Sequence, residues 1–170
     1  MEDGETRVGE ALTPESFKAV LGRFATGVAV MATTVDGVPH GMTANSVASV
    51  SLDPPLVLVC VERSARMAGK VASAGAFALS FLPAGRDDLS LWFADVGRSG
   101  AEQFEGVETS AAATGSPVLA TSVGWVDCRV WASYDGGDHV IVVGEVVDLG
   151  IGGHDEPLVY YRSTYGRFAS

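Results

Sequence analysis

The chain of 170 residues carries 21 acidic against 11 basic side chains, a formal charge of -10 at neutral pH. That balance repels a polyphosphate backbone, so nucleic acid is excluded as a partner. No apolar stretch approaches the ~20 residues of a bilayer span, and a cytoplasmic protein without membrane contact is expected; the length suits one domain around one hydrophobic core.

Residues 1–12 are polar and aperiodic and read as a flexible lead-in, with the folded domain expected over 13–170. Thr13-Pro14 reads as an N-cap followed by proline at the first helical position. Phe17, Val20, Leu21 and Phe24 then fall at the spacing of a buried helical face, which predicts a helix over 14–24. After Gly27 the pattern becomes β-branched over 28–34, and Asp36-Gly37 stands where a tight hairpin turn belongs.

Further strand-like runs cover 47–50, 56–61, 77–82, 125–132, 140–149 and 158–161, interrupted by helical patterns at 65–72 and 87–93. Strands this numerous, without regular strand-helix alternation, predict a mainly β fold: an antiparallel closed or nearly closed barrel with a few peripheral helices. The small-residue stretch 109–116 reads as a surface loop. Cys60 and Cys128 sit in apolar runs without ligand spacing and read as reduced core residues.

The common catalytic signatures, GxSxG, HExxH, the P-loop and GxGxxG after a strand, are absent, and His40, His139 and His154 are widely spaced in sequence, which leaves a metal site open but without support. What remains is a set of glycines and polar residues at strand ends. The first segment runs from Pro39 through Thr43, Ala44, Asn45 and Ser46 into Val47 and on to Ser51. Its small residues would let main-chain N–H groups approach a flat ligand; an ordinary turn into a strand explains the same composition.

The second, Glu62-Arg63-Ser64-Ala65-Arg66-Met67-Ala68-Gly69-Lys70, reverses the local charge of an acidic chain. Ser64 could cap a short helix, and a phosphate there would meet the helix dipole, a hydroxyl and a guanidinium; a solvated helix face is the plain alternative. The third, Gly137-Asp138-His139, places a histidine at the start of a strand, within reach of a bound ring. Tyr160-Tyr161 and Tyr165-Gly166-Arg167-Phe168 close the chain with aromatics suited to stacking or to a subunit interface. Trp92 and Phe93 stand where an apolar-aromatic pair could border a dinucleotide's adenine or pack the core, and core packing is the reading preferred.

Taken in order, Phe24-Ala25-Thr26-Gly27-Val28, His40 to Ser46, Ser49 to Val59 and Gly137-Asp138-His139 with Gly144-Glu145-Val146 resemble the short-chain flavin reductases that feed two-component flavin-dependent monooxygenases. The resemblance runs from about Phe17 to Phe168. It implies an FMN-binding split barrel, Greek-key-like and antiparallel, working as a homodimer, with FMN or FAD as cofactor and NADH or NADPH as hydride donor. It implies also that reduced flavin diffuses to a separate monooxygenase. By the same resemblance Thr43, Ala44, Asn45, Ser46 and Val47 line the flavin ring with Ser51 nearby, Ser64, Arg66 and Lys70 meet its phosphates, and His139 is the catalytic candidate beside flavin and nicotinamide. Two other readings share the fold: a non-catalytic flavin carrier, and an enzyme that holds its flavin tightly and acts directly on an organic substrate.

Overall fold

A computed structural model describes residues 12–168, so the lead-in expected over 1–12 lies, apart from Leu12, outside the described residues. Helix α1 (Pro14–Leu21) starts as its sequence predicts: the Thr13 hydroxyl accepts from the Ser16 amide and Ser16 Oγ accepts from the Thr13 amide. It ends three residues early, because the Arg23 and Phe24 amides bond carbonyls only three residues back and unwind it. The expected burial is overturned outright. None of its residues is buried, Phe17, Val20 and Leu21 are about half exposed and Phe24 is 73% exposed. Spacing identifies an apolar face correctly, but the described part of one chain offers nothing to cover it.

From α1 the chain runs through β1 (Thr26–Gly27), β2 (Ala29–Val35), β3 (Val38–Ala44), β4 (Val47–Leu52) and β5 (Pro55–Glu62) to helix α2 (Arg66–Ala74). Then come β6 (Ala76–Phe81), helix α3 (Asp87–Ala94), a 3-10 turn (Gly100–Phe104) and the short β7 (Thr109–Ala111) and β8 (Pro117–Leu119). The long β9 (Gly124–Gly136) and β10 (His139–Ile151) precede a final hairpin, β11 (Val159–Tyr161) and β12 (Thr164–Gly166). Seven strands form one antiparallel sheet in the order β3-β2-β6-β9-β10-β5-β4. Its two edges are consecutive strands, so the bend between β3 and β4 joins them in the split barrel the sequence predicts.

The Asp36-Gly37 turn has both residues at positive φ, 52° and 77°, as a two-residue hairpin loop requires. Strand β3 itself escapes the sequence pattern, since Pro39 and Gly41 mask it. An edge strand tolerates both, because its outer N–H positions need no neighbouring strand. The stretch read as a surface loop at 109–116 is corrected too: β7 and β8 make a small hairpin whose Ser116 is buried. The reason is Asp127, fully buried on β9, whose carboxylate accepts from the Thr114 amide at 2.7 Å and hydroxyl at 2.6 Å.

Alternation along β2 divides the core. Met31 packs with Val59, Phe77, Leu79 and Val142 inside the barrel, under Met67 and Val71 of α2, while Val30 packs with Leu82, Leu89 and Phe93 beneath α3. Phe93 therefore has the core role expected of it. Cys128 is buried, and burial, followed by the charge of Asp127, pushes its thiol up to about 12. Cys60 departs from expectation: it is half-buried and reaches a groove. No helix among the described residues is long and apolar enough to cross a membrane.

Candidate active site

The pairing rule of antiparallel strands determines which main-chain groups of β3 are left open. The Gly41 N–H donates to Gln103 Oε1 at 3.1 Å, and the Gly41 carbonyl accepts from Gln103 Nε2 at 2.9 Å. Gly41 thus turns both groups away from β2, and by alternation Thr43, two residues on, does the same. At Gly41 a buried glutamine side chain takes the place of a neighbouring strand. At Thr43 the edge opens onto a groove of about 370 Å³. Glycine is required at 41, since a Cβ there would lie 2.6 Å from the Phe93 ring.

The bend between β3 and β4 contributes Thr43, Ala44, Asn45 and Ser46 to this groove. Ser46 is pinned by its hydroxyl, which donates to the Cys60 carbonyl at 3.0 Å, while the Cys60 amide bonds back to it. The opposite wall comes from α2. Met67 and Val71, four residues apart, anchor that helix in the core; Arg66 and Lys70, offset by one position, line the groove.

Arg66 donates to the carbonyls of Val96, at 2.6 Å, and Arg98, and so ties the segment after α3 across the groove. Arg98 in turn pairs with Asp95 and lies 3.8 Å from the centre of the Trp92 ring. Trp92 Nε1 donates to the Gln103 carbonyl at 2.8 Å.

His139 opens β10 and lines the groove from the third side. Its Nδ1 lies 2.7 Å from Asp138 Oδ1, a bond that holds the Asp138 carboxyl below the usual carboxylate range. The hairpin carrying it is fixed by Arg63, whose Nε donates to the Gly137 carbonyl at 2.8 Å and whose guanidinium lies 3.1 Å from Asp135.

Thr43, Ala44, Asn45, Ser46, Arg66, Lys70 and His139 are therefore brought into one cavity from three distant parts of the chain. Three expected site residues lie elsewhere. Val47 lines a second, more apolar cavity of about 450 Å³, where Asn45 is the shared wall. Ser51 accepts a hydrogen bond from the Asp53 amide at the far end of β4. Ser64 caps nothing: the N-cap of α2 is Ala65, without a side-chain cap, and the exposed Ser64 hydroxyl donates to Glu62 instead. The helix begins one residue too late for Ser64 to reach it.

One groove residue gives no local signal. Gln103 meets Gly41 across 62 positions of sequence, which no spacing pattern reveals. His40 opens the segment that carries the family resemblance, without a role of its own there; burial first, then the charges of Lys70 and Arg66, lowers its pKa. It lines the same groove as Arg66 and Lys70.

The donor set suits a flat heteroaromatic ring with an anionic tail: open main-chain groups at one end and cations at the other. The comparison with known proteins agrees, since the family model for the flavin reductase like domain matches residues 21–169. The chain belongs to the flavin reductase-like family. The reductase subunit of a flavin-dependent monooxygenase from Rhodococcus jostii is 35% identical over 156 residues, covering 92% of this chain and 78% of its own. Among solved structures, the flavin reductase component of a bacterial two-component tryptophan halogenase aligns with a TM-score of 0.87 at 37% identity, covering 93% of this chain and 99% of its own. The NADH:FAD oxidoreductase of Streptomyces globisporus, solved with NAD and FAD fragments, gives a TM-score of 0.86 at 36% identity over 95% of this chain and 98% of its own. In this flavin reductase-like domain, the groove at the β3–β4 bend is the cavity whose donors fit such a ring.

Proposed function

We propose that the chain is an NAD(P)H-dependent flavin reductase, which accepts FMN or FAD, has it reduced by NADH or NADPH, and releases it to a separate flavin-dependent monooxygenase. The observation that carries this reading is the open edge of β3 at Thr43, set opposite Arg66 and Lys70 in a chain of net charge -10. Relatives named as reductases of this kind support it.

When bound, the flavin supplies a two-electron acceptor, and the nicotinamide supplies the hydride. The protein's part is to position and to stabilise. Main-chain groups of the Thr43–Ser46 segment would hold the ring and supply donors to the negative charge it gains on reduction. Arg66 and Lys70 would hold the phosphate, a role for which Arg66 would exchange a carbonyl of the 96–98 segment for an oxyanion. His139, kept in orientation by Asp138, lines the same groove and would meet the nicotinamide when it binds. No side-chain nucleophile or metal is needed for this chemistry.

The exposed apolar face of α1 and Phe24 supports a homodimer as the working form, because burying such a face stabilises association. The assay is direct: purified protein is mixed with NADH or NADPH and with FMN, FAD or riboflavin, and nicotinamide oxidation is followed by absorbance. Flavin-dependent oxidation is expected. Its absence with every donor and every flavin would refute the proposal.

A further inference from the structure

A chain of hydrogen bonds connects the C-terminal hairpin to the groove wall. The Tyr165 hydroxyl on β12 lies 2.9 Å from Ser90 Oγ on α3, and Thr43 Oγ1 on β3 donates to the Ser90 carbonyl at 2.6 Å. Ser90 is 0% exposed, and a buried hydroxyl costs desolvation that alanine would not unless it is hydrogen-bonded. A serine inside a helix commonly bonds back to its own preceding turn. This one instead reaches outward to another element, which is the arrangement of a link.

The far end of that link is anchored. Tyr165 packs against Tyr160 with ring centroids 5.3 Å apart, Tyr160 pairs with Thr26 of β1, and the Arg162 amide donates to the Gly22 carbonyl just after α1. The near end matters for the groove. Thr43 is the residue whose main-chain N–H and carbonyl are left open by the pairing of β3, and it also borders a side cavity of about 220 Å³ shared with Ser90, Asn45 and Tyr165. An edge strand has a neighbour on one side only, so something other than sheet pairing must fix its outer face. At Gly41 that is Gln103; at Thr43 it is Ser90.

We propose that Tyr165 and Ser90 are positioning residues for the reductase site: through the Thr43 hydroxyl they set where the open main-chain groups of Thr43 meet the ring of the bound flavin. This rests on the reading of the groove as a flavin site. It gives the C-terminal hairpin, and through it the segment around α1, a mechanical connection to the reaction centre.

The test uses the full chain, titrated with FMN and followed by visible absorption. Tyr165→Phe, which keeps the ring packing, is expected to weaken FMN binding about three- to tenfold, the worth of one net hydrogen bond, and to shift the absorption bands of bound FMN. Ser90→Ala and Thr43→Val are expected to do the same, to raise KM for flavin more than KM for the nicotinamide, and to show no further loss when combined with Tyr165→Phe. A Tyr165→Phe variant that melts earlier yet binds FMN with wild-type affinity and spectrum would overturn the proposal and return Tyr165 to a packing role. Additive losses in the double variants would overturn it as well. Failure of the underlying reading looks different: wild-type protein itself leaves the FMN spectrum unchanged, and then both fall.

Discussion

Two polar regions of this barrel handle the same problem in opposite ways. Behind β9, Asp127 is fully buried and accepts from both the amide and the hydroxyl of Thr114, while Ser116 and Thr114 bond each other at 2.8 Å. Every group named there has its partner within the fold. At the β3–β4 bend, polar main-chain groups and two cations instead border an open groove. A paired buried carboxylate closes a hairpin; an unpaired strand edge beside cations leaves binding capacity. The number of polar residues does not separate structure from function here; what does is the strand edge at Thr43, whose main-chain groups face the groove instead of a partner.

Substitutions on the two sides should therefore fail differently. The largest effect is expected for Asp127→Ala, which strands the Thr114 donors and should cost about 3 kcal/mol of unfolding free energy in a denaturant titration. FMN affinity of the folded fraction should not change; a matching loss of affinity would erase the distinction. Arg66→Ala should do the reverse, weakening FMN binding by about 1.5–3 kcal/mol through loss of a charge-assisted contact. Riboflavin, which lacks the phosphate, should bind both forms alike, and equal losses for both flavins would place the phosphate elsewhere.

Gly41→Ala sits between the two classes. Its Cβ would press on the Phe93 ring, and about 1–3 kcal/mol of overpacking strain should appear in stability together with weaker flavin binding, because β3 must shift. Loss of stability alone would mean that the groove is insensitive to its edge.

The smallest effect concerns His40. Its folded-state pKa is held below 6.5, by burial first and by Lys70 and Arg66 after that. The unfolded chain thus binds the proton more readily than the native one. The stabilising contribution is complete above the unfolded value and is lost as pH falls through the folded value. His40→Asn should flatten that part of the profile, so that the melting temperature of wild type falls relative to that of the variant as pH drops below the ordinary histidine range. A constant difference would remove His40 from the charged wall.

Much of the barrel is legible in the amino-acid sequence because its signals are local. Thr13-Pro14 starts α1, Asp36-Gly37 turns β2 into β3, and the β-branched runs of β5 and β10 read as strands without further help. The failures share a cause. β3 hides behind Pro39 and Gly41 because only its place at the sheet edge permits them, and edge position is a global property. The 109–116 hairpin depends on Asp127, and the exposed face of α1 depends on what covers it. In the groove, Thr43–Ser46, Arg66, Lys70 and His139 are marked by strand-end position and charge, signals that an ordinary turn or a solvated helix face also produces, and it is the ordered family resemblance that singles them out. Gln103, Ser90 and Tyr165 carry no such mark, since each acts through a contact many residues away.

The central claim is that the open edge of β3 receives the flavin, and amide chemical shifts followed by NMR during FMN titration test it most directly. The Thr43 amide should show a large, saturable shift while the Thr114 amide, already bonded to Asp127, stays where it is. Saturable binding that leaves Thr43 unmoved would contradict the account, whatever the enzyme's rate.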